Sequence, residues 1–301
     1  MQELLEFSLS SAWIETLSSS FFGREIDVLR LDKIHPLISG NKWFKLKYNI
    51  LEAKKQQKKK LLTFGGAYSN HIVATAAAGN MFDFETIGII RGEELGGQKK
   101  LNPYLQKATA LGMHLHFVSR EAYRQKKEKI FIEKMQGQFG EFYLLPEGGS
   151  NVFALQGTTE ILNFLKTENV AYDYICACVG TGGTLAGIAA SLAGVSSKIL
   201  GFSVLKNAAF LYEDTHNLLL QAGIRHFQPF EIILDYHFGG YAKQNATLLK
   251  FIQDFSSSTN IPIEPIYTGK LFFGVKDLLE KGYFPVGSKI LLIHCGGVLG
   301  L

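Results

Sequence analysis

Tyr174-Ile175-Cys176-Ala177-Cys178-Val179-Gly180-Thr181-Gly182-Gly183-Thr184-Leu185-Ala186-Gly187 decides the fold. It opens with an unbroken apolar run, short enough for a strand buried on both faces. Glycines follow at once, and then a small-residue segment that suits a helix. A strand turning through glycines into a helix is half of a βαβ unit. The turn also has a chemical use. Glycines let the backbone curl so that several N–H groups converge on one anion. A helix N-terminus adds positive potential there, and threonine hydroxyls add donors. Gly180, Thr181, Gly182, Gly183 and Thr184 therefore read as a phosphate cup; the bland alternative is a tight turn with close helix packing. No Lys-Ser or Lys-Thr follows the last glycine, so this is not a P-loop. The glycines also miss the G-x-G-x-x-G spacing, and no acidic residue closes the following strand. A single phosphate monoester fits better than a pyrophosphate.

Working outward, short apolar bursts alternate with longer helical stretches. Strands are expected at 61–64, 86–90, 114–118, 142–145, 174–179, 198–204, 231–234 and 289–294. The fold class is therefore α/β, with two open, mainly parallel three-layer α/β/α domains and a ligand cleft between them. Pro146-Glu147-Gly148-Gly149-Ser150 is the best internal boundary, and another follows the segment around residue 42. The expected division is a larger discontinuous domain, 1–48 with 147–301, and a smaller inserted domain, 49–146.

The 301 residues are 47% hydrophobic and 19% charged, which is globular, and the net charge is a modest +4. The run Lys54-Lys55-Gln56-Gln57-Lys58-Lys59-Lys60 reads as a solvated helix end rather than a nucleic-acid patch. Three cysteines, Cys176, Cys178 and Cys295, make no disulfide framework and no zinc spacing. Cys176 and Cys178 read as small core residues. No basic leader precedes an apolar stretch, and no apolar run is long enough to span a bilayer. A cytoplasmic setting is expected, with no membrane or nucleic-acid partner.

In open α/β sheets ligands sit where strands end and helices begin. Two further loops of that kind are Gly65-Gly66-Ala67-Tyr68-Ser69-Asn70-His71 and His294-Cys295-Gly296-Gly297. Ser69 can cap a helix, bind a carboxylate or relay a proton. Asn70 can hydrogen-bond a phenolic oxygen, and His71 reads as a helper or a packed side chain. Ser39-Gly40-Asn41-Lys42 precedes Trp43, Phe44 and Leu46, so Lys42 is held against aromatic bulk. An imine-forming lysine needs such a setting. Tyr241 and Tyr267 stand beside glycine turns, where a neighbouring lysine cation can lower a tyrosine pKa enough for acid–base work. Lys270 is either that cation or a surface residue.

Together these motifs resemble the pyridoxal-phosphate enzymes of the tryptophan-synthase-β fold (fold type II). Within them the chain resembles the 1-aminocyclopropane-1-carboxylate deaminase / D-cysteine desulfhydrase family. The resemblance runs in order from about Leu31 to the C-terminus. Ser-Gly-Asn-Lys at 39–42 looks like the family's Schiff-base motif, 65–71 like its Ser-Asn-His loop and 180–184 like its phosphate loop. Residues 240–241 and 267–270 look like its two tyrosine segments, and 294–297 like its C-terminal cofactor loop. The resemblance implies pyridoxal 5'-phosphate joined to Lys42, which also moves the Cα proton. Asn70 would meet the 3′-oxygen, and residues 180–184 would hold the phosphate. Ser69, Asn70 and His71 would take the substrate carboxylate, with Thr268 also on the substrate side. Tyr241 and Tyr267 would serve the far end of the substrate. A homodimer is implied by analogy.

Two positions depart from the deaminase pattern, which has Glu and Leu where this chain has Thr268 and Cys295. Without a carboxylate at 268, the pyridine nitrogen is expected to meet only a neutral partner, with Cys295 the nearest match. That suits α,β-elimination from D-cysteine, giving pyruvate, ammonia and sulfide. It suits the opening of a cyclopropane ring less well. Deamination of 1-aminocyclopropane-1-carboxylate to 2-oxobutanoate is the second expectation. A non-catalytic phosphate-ligand binder is the third, although neither the lysine nor the tyrosines are lost.

Overall fold

The computed structural model describes residues 10, 13–97 and 100–297. Ten strands are present among them: β1 Ile14–Leu17, β2 Ile26–Arg30, β3 Lys60–Gly65, β4 Glu85–Arg91, β5 Met113–Val118, β6 Tyr143–Leu145, β7 Tyr174–Val179, β8 Lys198–Ser203, β9 Phe230–Ile233 and β10 Ile290–His294. They form a six-stranded sheet, β1-β2-β10-β7-β8-β9, and a four-stranded sheet, β5-β4-β3-β6. Every pairing is parallel except β1 with β2.

The apolar run at 174–179 lies in the middle of the larger sheet, and all six of its residues are buried. The eight expected strands all form. β1 and β2 were not anticipated, because Asp27 and Arg30 break the apolar pattern of β2. Those charges are accommodated locally. Asp27 accepts from Thr16 Oγ1 at 2.6 Å and from the Tyr172 hydroxyl at 2.8 Å. Arg30 Nη2 lies 2.7 Å from Asp32. Arg30 and Asp32 are both buried, so their pairing matters more than a surface bridge would.

Helices cover the sheets, and three of them position the site. The helix Asn41–Lys55 carries Lys42 and packs on the helix Val152–Thr158. The approach is close: a methyl added at Gly157 would lie 1.9 Å from the Phe44 carbonyl oxygen. Lys54 and Lys55 close the first of these helices, as the solvated-end reading of the lysine run expects. The helix Asn70–Phe82 follows β3, and Ser69 Oγ caps it by accepting the Ile72 N–H at 3.3 Å. The helix Gly183–Ser191 follows β7 through the glycine turn, with Gly182 at φ 77°. Glycine enters that left-handed region without the Cβ penalty. No helix among the described residues is long and apolar enough to cross a membrane.

Candidate active site

The loops after β3, β4, β7 and β10 converge on one cavity of about 220 Å³. Lys42, Ser69, Asn70, His71, Gly180, Thr181, Gly182, Gly183, Thr184, Tyr241, Tyr267 and Cys295 all line it. Residues far apart in sequence thus meet where the strands end, as open parallel sheets favour.

Lys42 stands in the first turn of its helix, half-buried, with Nζ donating to Asn41 Oδ1 at 2.8 Å. Asn41 in turn donates to Thr184 Oγ1 at 2.8 Å, which ties the lysine to the glycine loop. Burial lowers the Lys42 pKa, against the opposing pull of Cys295, Cys178 and Glu264. A lowered pKa leaves more of the amine free to attack an aldehyde. Gly40 sets this helix against the last strand. Its φ is 67°, and a methyl there would lie 1.8 Å from the Cys295 carbonyl oxygen. That same carbonyl accepts the Asn41 N–H at 3.2 Å.

The glycine loop at 180–184 lines the cavity with a lysine beside it. Lys45 Nζ donates to Gly148 O at 2.9 Å and Ser150 Oγ at 3.0 Å. It also lies 3.2 Å from where a methyl on Gly183 would stand. Ser150 Oγ is 2.6 Å from Thr181 Oγ1. Burial, and then the neighbouring Lys42, push the Lys45 pKa well down. An anion in the cup would reverse that penalty.

His71 is 2% exposed, and its Nε2 lies 2.8 Å from Thr63 Oγ1. The Thr63 hydroxyl donates to Leu145 O at 3.0 Å, so it must accept from His71. That assigns the Nε2–H tautomer. Burial, followed by Lys42 and Lys45, pushes the His71 pKa well down, so the ring is neutral. His71 Nδ1 and Asn70 Oδ1 are both buried without a hydrogen-bond partner among the described residues.

Tyr241 and Tyr267 also line the cavity, and their rings meet edge to face at 6.1 Å. Tyr267 also packs on the glycine loop, with its Cε1 3.1 Å from a methyl built on Gly180. The sequence reading allowed a lowered tyrosine pKa here. The structure gives the reverse, because burial raises both hydroxyls well above their ordinary value. Both therefore stay protonated at neutral pH.

Lys270 is fully buried and donates to the carbonyl oxygens of His237 and Gly240, which settles it as internal. Thr268 is buried too, but it does not line the cavity. Its hydroxyl donates to Glu264 Oε1 at 3.2 Å, and Glu264 also accepts the backbone N–H groups of Ile266, Tyr267 and Thr268. Cys178 is no plain core residue: it lines the cavity beside Cys295. The neighbouring Cys295, and then burial, raise the Cys178 thiol, and the neighbouring Cys178 lowers Cys295.

Sequence reasoning missed Lys45, Arg91, Glu147 and Cys178, which all line the cavity. Lys45 had a usable signal, since it stands three residues after Lys42 on one helix face. Arg91 had another: it ends a strand of an open parallel sheet.

An aldehyde-bearing phosphate monoester fits these residues. The glycine loop would lose its concavity to any added Cβ: a methyl on Gly182 would lie 2.4 Å from Thr215 Oγ1, and one on Gly183 2.6 Å from Ser150 Oγ. Asn70 and His71, whose Oδ1 and Nδ1 are buried without partners among the described residues, both line this cavity, and unpaired buried polar atoms are costly.

Comparison with known proteins agrees with this geometry. The profile of the family described as "Pyridoxal-phosphate dependent enzyme" matches residues 16–296. A bifunctional D-cysteine desulfhydrase/1-aminocyclopropane-1-carboxylate deaminase of Arabidopsis thaliana is 31% identical over 93% of this chain and 74% of its own. A D-cysteine desulfhydrase of Yersinia enterocolitica is 28% identical over 96% of this chain and 92% of its own. The crystal structure of an ACC deaminase homologue superposes with a TM-score of 0.85 at 26% identity, covering 99% of this chain and 94% of that one.

Proposed function

Because the chain belongs to the pyridoxal-phosphate-dependent enzymes, and among them to the 1-aminocyclopropane-1-carboxylate deaminase / D-cysteine desulfhydrase family, we propose that it removes the β-substituent of a small amino acid, D-cysteine first. The products are pyruvate, ammonia and sulfide. Bound in the cavity, pyridoxal phosphate supplies the electron sink at Cα.

The chain's own residues do the rest. Lys42 holds the cofactor covalently and carries the Cα proton. The cup at Gly180–Thr184, with Lys45, holds the phosphate. Asn70 takes a ring oxygen, and the N–H groups at Ser69, Asn70 and His71 take the substrate carboxylate. Tyr241 and Tyr267, both held protonated by burial, give a proton to the departing group.

One observation carries elimination over ring opening. The lining beside Lys42 offers thiols, Cys178 and Cys295, and no carboxylate. Glu147 is the acid that lines the cavity among the described residues, and it is engaged by Tyr123 and Lys126. A neutral ring partner suits a reaction in which a good leaving group drains charge quickly. Ring opening of 1-aminocyclopropane-1-carboxylate is the second reading, supported by the names of the relatives.

Two measurements test this. The purified holoprotein should absorb as a lysine-bound cofactor, and Lys42→Ala should abolish the band. A protein that stays colourless with added cofactor would sink the reading. Pyruvate from D-cysteine is then compared with 2-oxobutanoate from the cyclopropane substrate; dominant 2-oxobutanoate would reverse the order of the two readings.

The division into 1–48 with 147–301 and 49–146 is part of the proposal. Its support is that β3 to β6 all fall inside 49–146. A homodimer is proposed by analogy, to be checked by light scattering against the 33.4 kDa chain. A reducing, cytoplasmic setting is proposed too, and three free, buried cysteines suit it.

A further inference from the structure

The cavity has a cation that neither cofactor nor catalysis uses. Arg91, the exposed last residue of β4, lines it beside Gly66. A methyl built on Gly66 would lie 3.5 Å from Arg91 Nη2 and 3.7 Å from Tyr241 Cε1. The guanidinium and the Tyr241 ring therefore flank the same stretch of wall, where the substrate's far end is placed. Among the described residues Arg91 makes no hydrogen bond and no ion pair; its Cζ rests 5.8 Å from the centre of the Tyr123 ring.

The acid that lines the cavity among the described residues, Glu147, is engaged elsewhere. Glu147 accepts the Tyr123 hydroxyl at 2.8 Å and lies 3.3 Å from Lys126 Nζ. Glu147 and Lys126 cancel, His71 is neutral, and Lys42 and Lys45 belong to the cofactor. One positive charge is left over at the substrate end. A guanidinium with its donors open is suited to fork-like pairing with phosphate, sulfate or carboxylate.

On the lyase reading above, the α-carboxylate is already placed at Ser69–His71. We propose that Arg91 opens this site, beside D-cysteine, to substrates with a second anion, namely β-substituted alanines whose substituent is negatively charged. For O-phosphoserine the Cα proton goes to Lys42, and the Cβ–O bond breaks with its electron pair leaving on phosphate. Water then replaces the amino group, giving pyruvate and ammonia. The net change is O-phosphoserine plus water to pyruvate, ammonia and phosphate, with no external oxidant or reductant.

The test uses the holoenzyme with Arg91→Ala and Arg91→Lys. O-phosphoserine is compared with β-chloroalanine, each as both enantiomers, by kcat/KM from pyruvate release. Calorimetry gives the dissociation constants of O-phosphoserine and alanine. The wild type should favour the phosphorylated ligand at least tenfold in both measures. Arg91→Ala should cut that preference at least tenfold, and Arg91→Lys should restore part of it. A wild type without preference would overturn the proposal. So would an equal loss on charged and neutral ligands, since it would put the guanidinium on the α-carboxylate. Preference in binding without pyruvate from either compound would leave Arg91 with its role and refute the lyase reading instead.

Discussion

Lys270 holds the residue before Tyr241 in place: its Nζ lies 2.7 Å from the Gly240 carbonyl oxygen and 2.9 Å from that of His237. Gly239 and Gly240 both have positive φ, 94° and 117°, so the tyrosine is presented from a turn that needs an internal tie. Lys270→Met fills the same volume but removes the charged donor shared by the carbonyls of His237, Gly240 and Val204. It should lower kcat by roughly tenfold to a hundredfold, since small displacements of a positioned group cost that much. The stability loss should be about 1–3 kcal/mol. Steady-state kinetics beside thermal unfolding checks both, and an unchanged kcat would show that the tie does not position Tyr241.

His71 should make the fold sensitive to acid. Its folded pKa is depressed by burial and by Lys42 and Lys45. The unfolded chain takes up a proton near the ordinary value of about 6.5, while the folded chain refuses it. Stability is therefore complete above that pH and falls as pH drops through it, by up to about 1.4 kcal/mol per unit. Urea unfolding at pH 7.5, 6.5 and 5.5 should show the decline, and His71→Gln should flatten it. A His71→Gln variant with the same slope would assign the acid sensitivity elsewhere.

Gly40→Ala should damage cofactor attachment more than any other single-methyl change near Lys42. The added carbon would stand 1.8 Å from a backbone oxygen, and φ 67° is already unfavourable for alanine. Nothing flexible is available to yield. The expected result is weak or absent cofactor absorbance, with a loss of stability on the order of several kcal/mol. Full absorbance at a wild-type melting temperature would contradict the close packing of Gly40 on Cys295.

Lys45 should set cofactor affinity rather than chemistry. Among the described residues its buried Nζ has Gly148 O and Ser150 Oγ as partners, and an anion in the cup would add a charged one. Lys45→Gln should weaken pyridoxal-phosphate binding roughly tenfold to a hundredfold, in keeping with the loss of a charge-assisted hydrogen bond. Saturating cofactor should restore most of kcat. A kcat that stays low at saturation would give Lys45 a part in the reaction itself.

Much of this was legible in the sequence, for physical reasons. Buried parallel strands must be apolar, so 174–179 and its counterparts announce themselves. A glycine turn between strand and helix has few uses, so Gly180–Thr184 does too. Ser69 as helix cap was also readable, because capping is local. What stayed hidden depends on partners distant in sequence. β2 carries Asp27 and Arg30, whose burial makes sense only once Tyr172 and Asp32 are in place. Thr268 looked like a substrate contact, yet it bonds to Glu264, and the turn between them could not be inferred from spacing. The direction of the tyrosine shifts depends on how deeply each ring is packed, which no local pattern encodes.

The contact between Gly40 and Cys295 also bears on the order in which the molecule is made. Asn41 donates to the Cys295 carbonyl, and β10 inserts between β2 and β7 in the middle of the larger sheet. In chain order Lys42 precedes the strand that seats it by nearly the whole span of the larger sheet. Until β10 is delivered, the larger sheet is split into two halves and Lys42 has no floor beneath it. Such late, non-local closure is slow and exposes apolar edges. Uptake of the cofactor should therefore wait on β10, and a chain cut before Ile290 should remain colourless however much cofactor it meets.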